Sequence, residues 1–166
     1  MSDAAARVPL RVLHLEDSEL DHALAMAQLQ RGGLRVEVER VEDEAAFRAA
    51  LTRPWDLVIS DYNLPGFSGI RALEIVREMP DPPPFVLVSG EIGEDVAVAA
   101  MRNGASDYLL KGNLARLAPA VEHALDAHES ERARQVADRA LAASRDRKST
   151  RLNSSHSQQS RMPSSA

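Results

Sequence analysis

Across residues 1–125, short apolar runs rich in β-branched residues alternate five times with longer segments whose apolar residues recur at helical spacing. Few folds accept that alternation. A strand, a helix and a further strand form the βαβ unit, so the pattern predicts an α/β domain built on a parallel sheet. Arg11–Leu15 opens as a strand, and Ser18 stands as N-cap for a helix over Glu19–Arg31 that Gly32-Gly33 closes. Val36, Val38 and Val41 alternate with charged residues in a second strand nearer an edge. Asp43–Thr52 follows with Ala46, Phe47, Ala50 and Leu51 at helical spacing, and Pro54 stops it. Leu57–Ser60 is continuous and apolar, as a strand buried on both faces requires, and it runs into Asp61. After the loop YNLPGFSG a helix is expected over Ile70–Met79, with Ile70, Leu73, Ile75 and Val76 inward, ended by PDPPP. Phe85–Val88 is the fourth strand, Glu94–Arg102 the fourth helix and Tyr108–Leu110 the fifth strand. A helical pattern then runs from Leu114 through Leu117, Val121, Ala124 and Leu125 to about Arg145, highly charged after Leu125.

Composition narrows the class further. The 166 residues include no cysteine, which excludes a disulfide framework, a thiolate metal site and a cysteine nucleophile. Residues 1–10 lack the apolar core of a signal peptide, and no stretch approaches the length of a membrane span, so a cytoplasmic protein is expected. A formal charge of −5 and few aromatics argue against nucleic acid as the partner. That charge is unevenly spread. Residues 146–166 hold seven Ser, four basic residues and one acid, whereas the first 145 carry 16 Lys or Arg and 24 Asp or Glu, a net −8. The terminal stretch offers almost nothing to bury and is expected to be disordered. It also resembles, residue by residue, the in-frame translation of a sequencing-library adapter, which would make the natural protein longer than the chain. The expected organisation is a domain over 8–127, a charged helical extension or linker over 128–145, and the terminal stretch 146–166.

In open parallel α/β sheets ligands bind at the carboxyl ends of the strands, so what each strand ends in decides the chemistry. The first ends in Glu16-Asp17, the third in Asp61, the fourth in Ser89-Gly90 and the fifth in Lys111. Each alone has an ordinary explanation as a cap or a solvated charge. Together they bring three carboxylates, a hydroxyl and an ammonium into one crevice. Clustered carboxylates repel unless a cation neutralises them, and an all-oxygen set suits Mg²⁺. Lys111 and Ser89 would meet an anion brought to that metal, which describes phosphoryl transfer to a carboxylate.

The segments HLEDSE (14–19), DLVISDYNLPGFSG (56–69), VLVSGE (86–91) and GASDYLLKG (104–112) resemble the receiver domains of two-component response regulators. The resemblance covers about Val8–Ala127 and implies a doubly wound five-stranded parallel sheet of order 2-1-3-4-5, with helices on both faces. It implies Asp61 as phosphoacceptor from a histidine kinase or phosphotransfer protein, with Mg²⁺ held by Asp17, Asp61, the Asn63 backbone carbonyl and Glu16. Ser89 and Lys111 would bind the phosphoryl oxygens, and Tyr108 would be the aromatic that turns inward as the Ser89 hydroxyl moves. Pro65, Gly66 and Gly69 match the loop that shapes the site. The chain would take its own phosphoryl group and slowly release it, without a kinase domain, and a homodimer through the fourth helix, fifth strand and fifth helix is implied. Two positions depart from the pattern. Ser89 replaces the commoner Thr, and Gly112 follows Lys111 where the family has a proline joined by a cis bond.

Rival chemistries lack their residues. A dehalogenase-type phosphatase needs an acid two residues beyond its nucleophile, and position 63 is Asn. A serine hydrolase would need G-x-S-x-G around Ser89, and the segment is LVSGE; no P-loop motif occurs either. His123 and His128 lack the proline that follows a kinase phosphohistidine and are expected to face solvent. Two other possibilities stay open: a stand-alone single-domain regulator, and a receiver-like module that binds partners without phosphorylation.

Overall fold

The computed structural model describes residues 8–91 and 93–159, with side chains as far as Arg147. Among the described residues seven strands form: β1 (Leu10–Leu15), β2 (Val36–Val41), β3 (Leu57–Asp61), β4 (Asn63–Leu64), β5 (Phe67–Ser68), β6 (Phe85–Ser89) and β7 (Asp107–Leu110). The same described residues hold five α-helices: α1 (Glu19–Arg31), α2 (Glu44–Ala50), α3 (Gly69–Arg77), α4 (Glu94–Arg102) and α5 (Leu117–Gln159). The five long strands make one sheet of order β2-β1-β3-β6-β7, every pairing parallel. With the short β4–β5 pair set aside this is the order 2-1-3-4-5.

Helices begin where short polar side chains replace the missing backbone partners of the first turn. Ser18 accepts from the Asp21 N–H, Asp43 from Ala46 and Ser68 from Arg71. Strand alternation then sorts apolar side chains onto two faces of the sheet. Val12, Leu57, Ile59, Val86, Val88 and Leu109 pack with Leu29 of α1 and Leu117 and Val121 of α5. Leu13, Leu15, Val58, Phe85 and Leu87 pack with Phe47 of α2, Leu73 and Val76 of α3 and Ala100 of α4. The sheet is a wall between two cores, which is what double winding means physically.

Three local features differ from expectation. The YNLPGFSG segment is not irregular throughout: β4 and β5 pair antiparallel around Pro65-Gly66, whose glycine has φ of 67°. That is the geometry of a type II turn, with proline first and the positive-φ residue second. After β7 the chain winds as a 3₁₀ segment over Lys111–Arg116, kinked at Asn113 (φ −131°, ψ 45°), so α5 starts at Leu117 and not at Leu114. The helix also continues through residues 146–159, where composition predicts disorder. No glycine or proline interrupts the chain between Pro119 and Pro163. Residues 160–166 lie outside the described residues.

The chain divides into two units, Met1–His128 and Glu129–Ala166. Residues 129–147 of the second are exposed throughout.

Candidate functional site

Parallel pairing delivers the carboxyl ends of the strands to one edge, and register decides which residues are neighbours there. Leu15 stands level with Ser60, Asp61 with Val88, and Ser89 with Leu110. The residues that follow Leu15 and Leu110, namely Glu16-Asp17 and Lys111, therefore leave the sheet beside Asp61 and Ser89. Glu16 and Asp61 are buried, whereas Asp17 is exposed. One carboxylate oxygen from each of Glu16, Asp17 and Asp61 lies within 4.8 Å of the others. Opposite ligands of an octahedral Mg²⁺ stand about 4.2 Å apart, so small side-chain rotations or a retained water let these three oxygens share one ion. The donor set is hard oxygen only, which is the chemistry that ion selects.

Lys111 faces the same carboxylates. Its Nζ donates to Asp21 Oδ2 at 2.7 Å and Asp61 Oδ2 at 3.0 Å, and lies 3.2 Å from Glu16 Oε2. Burial works against the ammonium, but the hydrogen bonds to Asp21 and Asp61 and the charges of Asp61 and Glu16 outweigh it and hold the pKa above the ordinary lysine value. Glu16 goes the other way. Burial, reinforced by the Asp61 charge, raises its pKa to about 7 although the Ser18 N–H and Lys111 pull it down. The Lys111–Gly112 peptide is trans.

The β4–β5 hairpin and α3 close one side of the site. A Cβ on Gly69 would come within 2.5 Å of both the Asp61 carbonyl oxygen and Leu87 Cδ1, so only glycine lets α3 start against β3. Asn63 is exposed two residues past Asp61, in register with Ser68. Ser89 is buried, and its hydroxyl both donates to the Glu91 carbonyl and accepts from the Glu91 N–H at 3.2 Å. Tyr108, half-buried on β7, donates its hydroxyl to the same Glu91 carbonyl at 3.0 Å. Ser89 and Tyr108 are thus joined through one residue.

Some neighbours of the site escaped sequence reasoning. Asp21, in the first turn of α1, makes the shortest contact to Lys111. Arg40, at the end of β2, donates to the Glu16 carbonyl at 3.1 Å and pairs with Glu42 and Glu19. His14, buried on β1, meets His22 of α1 with Nδ1 atoms 2.8 Å apart. Burial first, then the His22, Lys111 and Arg40 charges, lower the His14 pKa to about 3. Asp21 and His22 are the third and fourth residues of α1, which begins three residues after Glu16, and nothing in the sequence marks either as a neighbour of the site. Of the two helical histidines, His123 is exposed, but His128 is not fully solvent-facing. Its Nε2 donates to the Pro82 carbonyl at 3.1 Å.

A twisted parallel sheet with three acids, a hydroxyl and a lysine at its carboxyl edge defines a class, and sequence comparison agrees with it. The response regulator receiver domain family matches residues 12–122, and the chain belongs to that family. The response regulator protein FleR of Pseudomonas aeruginosa is 38% identical over 102 residues, 61% of this chain and 21% of FleR. The chain spans less than half the length of the first curated relatives it matches. Among solved structures, the Mn²⁺-bound form of response regulator Rcp1 is similar at a TM-score of 0.60 and 25% identity, over 69% of this chain and 92% of that one. The phosphorylated cyanobacterial phytochrome response regulator RcpA is similar at 0.58 and 26%, over 69% and 89%. Among the described residues no helix is long and apolar enough to cross a membrane.

Proposed function

We propose that this receiver domain is a phosphoacceptor switch in which Asp61 takes a phosphoryl group from a phosphohistidine on a histidine kinase or phosphotransfer protein. The observation that carries the proposal is the buried Asp61 carboxylate, 3.0 Å from the Lys111 ammonium and beside Glu16 and Asp17. An Asp61 oxygen attacks phosphorus, the phosphorus–nitrogen bond of the donor breaks, and the imidazole leaves with the electron pair, so an acyl phosphate forms. Lys111 offers its donors to the charge on the transferring group. Glu16, Asp17, Asp61 and the Asn63 carbonyl would hold Mg²⁺, which when bound neutralises the clustered carboxylates and the phosphoryl oxygens. The Mn²⁺ of Rcp1 and the phosphorylation of RcpA support that assignment by similarity.

Signal output follows from the shared Glu91 contact. Drawing the Ser89 hydroxyl to the phosphoryl group removes one of two donors from the Glu91 carbonyl, which frees the segment that Tyr108 also holds. The face of α4, β7 and α5 then changes shape, and a homodimer through it is the proposed consequence. Hydrolysis of the acyl phosphate by water resets the switch. The domain acts in the cytoplasm, as part of a longer signalling protein, and contacts protein rather than nucleic acid or membrane.

Incubation with acetyl phosphate and Mg²⁺ tests this directly. The chain gains one acid-stable, hydroxylamine-labile phosphoryl group, and both Asp61→Asn and metal chelation abolish it. Labelling that survives Asp61→Asn would refute the assignment, and an interaction indifferent to Asp61→Asn and Mg²⁺ would mark a module that works without phosphorylation.

A further inference from the structure

We propose that Asp21 is the positioning residue for the Lys111 ammonium, an inference that rests on the phosphoacceptor function proposed above. An ammonium has three donors, and here three carboxylates surround it: Asp21 at 2.7 Å, Asp61 at 3.0 Å and Glu16 at 3.2 Å. Two of these partners have other work. Glu16 and Asp61 belong to the acidic cluster that fits a metal, and one Asp61 oxygen becomes the bridging oxygen of the acyl phosphate on phosphorylation. Asp21 lies outside that cluster, so its carboxylate is shared with neither the metal site nor the phosphoryl group.

The local structure explains why Asp21 is free to do this. Ser18 and Asp21 have the spacing of a capping box, in which the acid would reach back to the Ser18 N–H. Half of that box forms, since the Asp21 N–H donates to Ser18 Oγ at 3.2 Å. The other half is pre-empted, because the Ser18 N–H donates to Glu16 Oε1 at 3.1 Å. The Asp21 carboxylate is therefore released from its helix and turned to Lys111, ninety residues away in sequence.

Lys111 gains from such a partner because the backbone that follows it is open. Its stem is a flexible four-carbon chain. The next residue is Gly112, with nothing within 4 Å of where a Cβ would stand, and the 3₁₀ segment kinks one residue later at Asn113. Asp21 supplies the shortest of the three contacts that hold the ammonium beside Asp61.

The test is the kinetics of Asp61 phosphorylation by acetyl phosphate in the full chain, with donor and Mg²⁺ varied separately. Asp21→Ala lowers the saturated rate roughly ten- to hundredfold, the usual effect of removing a group that orients a reacting one. The Mg²⁺ concentration giving half-maximal rate stays unchanged, since Lys111 and not the metal loses its anchor. Asp21→Asn keeps the shape and one acceptor oxygen and shows the same split to a smaller degree, and Asp21→Glu restores much of the rate. A purely structural role would not divide the two parameters in this way. Unchanged saturated rates in Asp21→Ala, or a loss matched by an equal loss of Mg²⁺ affinity, would overturn the inference. Labelling that persists in Asp61→Asn would instead remove the acceptor assignment, so the two failures are told apart.

Discussion

His14 shows how closely charge is packed beneath the site. Its Nδ1 sits 2.8 Å from that of His22, so along that line one ring donates and the other accepts, and a second proton breaks the contact. The folded protein therefore resists protonating His14, whose pKa falls to about 3, while an unfolded chain takes up that proton near pH 6.5. Between those values the unfolded state binds more protons, so the His14 contribution to stability is present above pH 6.5 and is lost as pH falls towards 3. Glu16 has the opposite slope. With its pKa raised to about 7 from 4.5, the folded state binds more protons over that interval, and stability declines as pH rises through it. The two slopes oppose each other between pH 4.5 and 6.5. Replacing His14 with Leu removes one of them, so the variant gains stability relative to the wild type as pH drops from 7 to 4.5. Urea unfolding followed by the single tryptophan, Trp55, measures this; parallel curves for the two proteins would show that His14 does not titrate as described. Glu16, Asp61, Ser89 and Lys111 were legible as strand-end residues because each directly follows or ends an apolar run, with Asp17 one residue beyond Glu16. Asp21 and His22 were not, since an acid in a first helical turn is already explained by the helix dipole, and a histidine eight residues from another gives no sign of contact.

At the scale of elements, the boundaries marked by side-chain chemistry were the readable ones. Ser18 caps the helix it announced, and the apolar runs at Leu57 and Phe85 became central strands buried on both faces. The β4–β5 hairpin left no periodic signal, because two-residue strands are too short to alternate. The start of α5 shifted for a related reason: Leu114 fits the helical spacing, but a 3₁₀ turn also places it on the inner side. Glycine substitutions separate tight places from open ones. Gly69→Ala forces a methyl into the Asp61 carbonyl and Leu87 and is expected to destabilise by about 1–3 kcal/mol or more. Gly112→Ala meets no atom and lies outside the positive-φ glycines, so its effect stays within about 0.5 kcal/mol. Thermal unfolding of the two variants checks the contrast, and equal shifts would contradict the packing described.

The whole molecule is governed by the sheet standing between two apolar layers, one under α1 and α5 and one under α2, α3 and α4. The alternation of strands and helices announced such a sheet, but not which helix lies on which side; that follows from the strand order, which short-range patterns do not contain. Because all five long strands are shared by both layers, one might expect damage on one side to spread to the other. The side chains do not cross the sheet, however, and their partners are separate sets. Ile59→Val, facing α1 and α5, and Ile75→Val, on α3, should each cost about 0.5–1.5 kcal/mol. Combined, they should sum to within about 0.5 kcal/mol in a double-mutant cycle on unfolding free energy. Evolution then has two ledgers to write in: one apolar layer can drift while the opposite layer, untouched, keeps the domain folded.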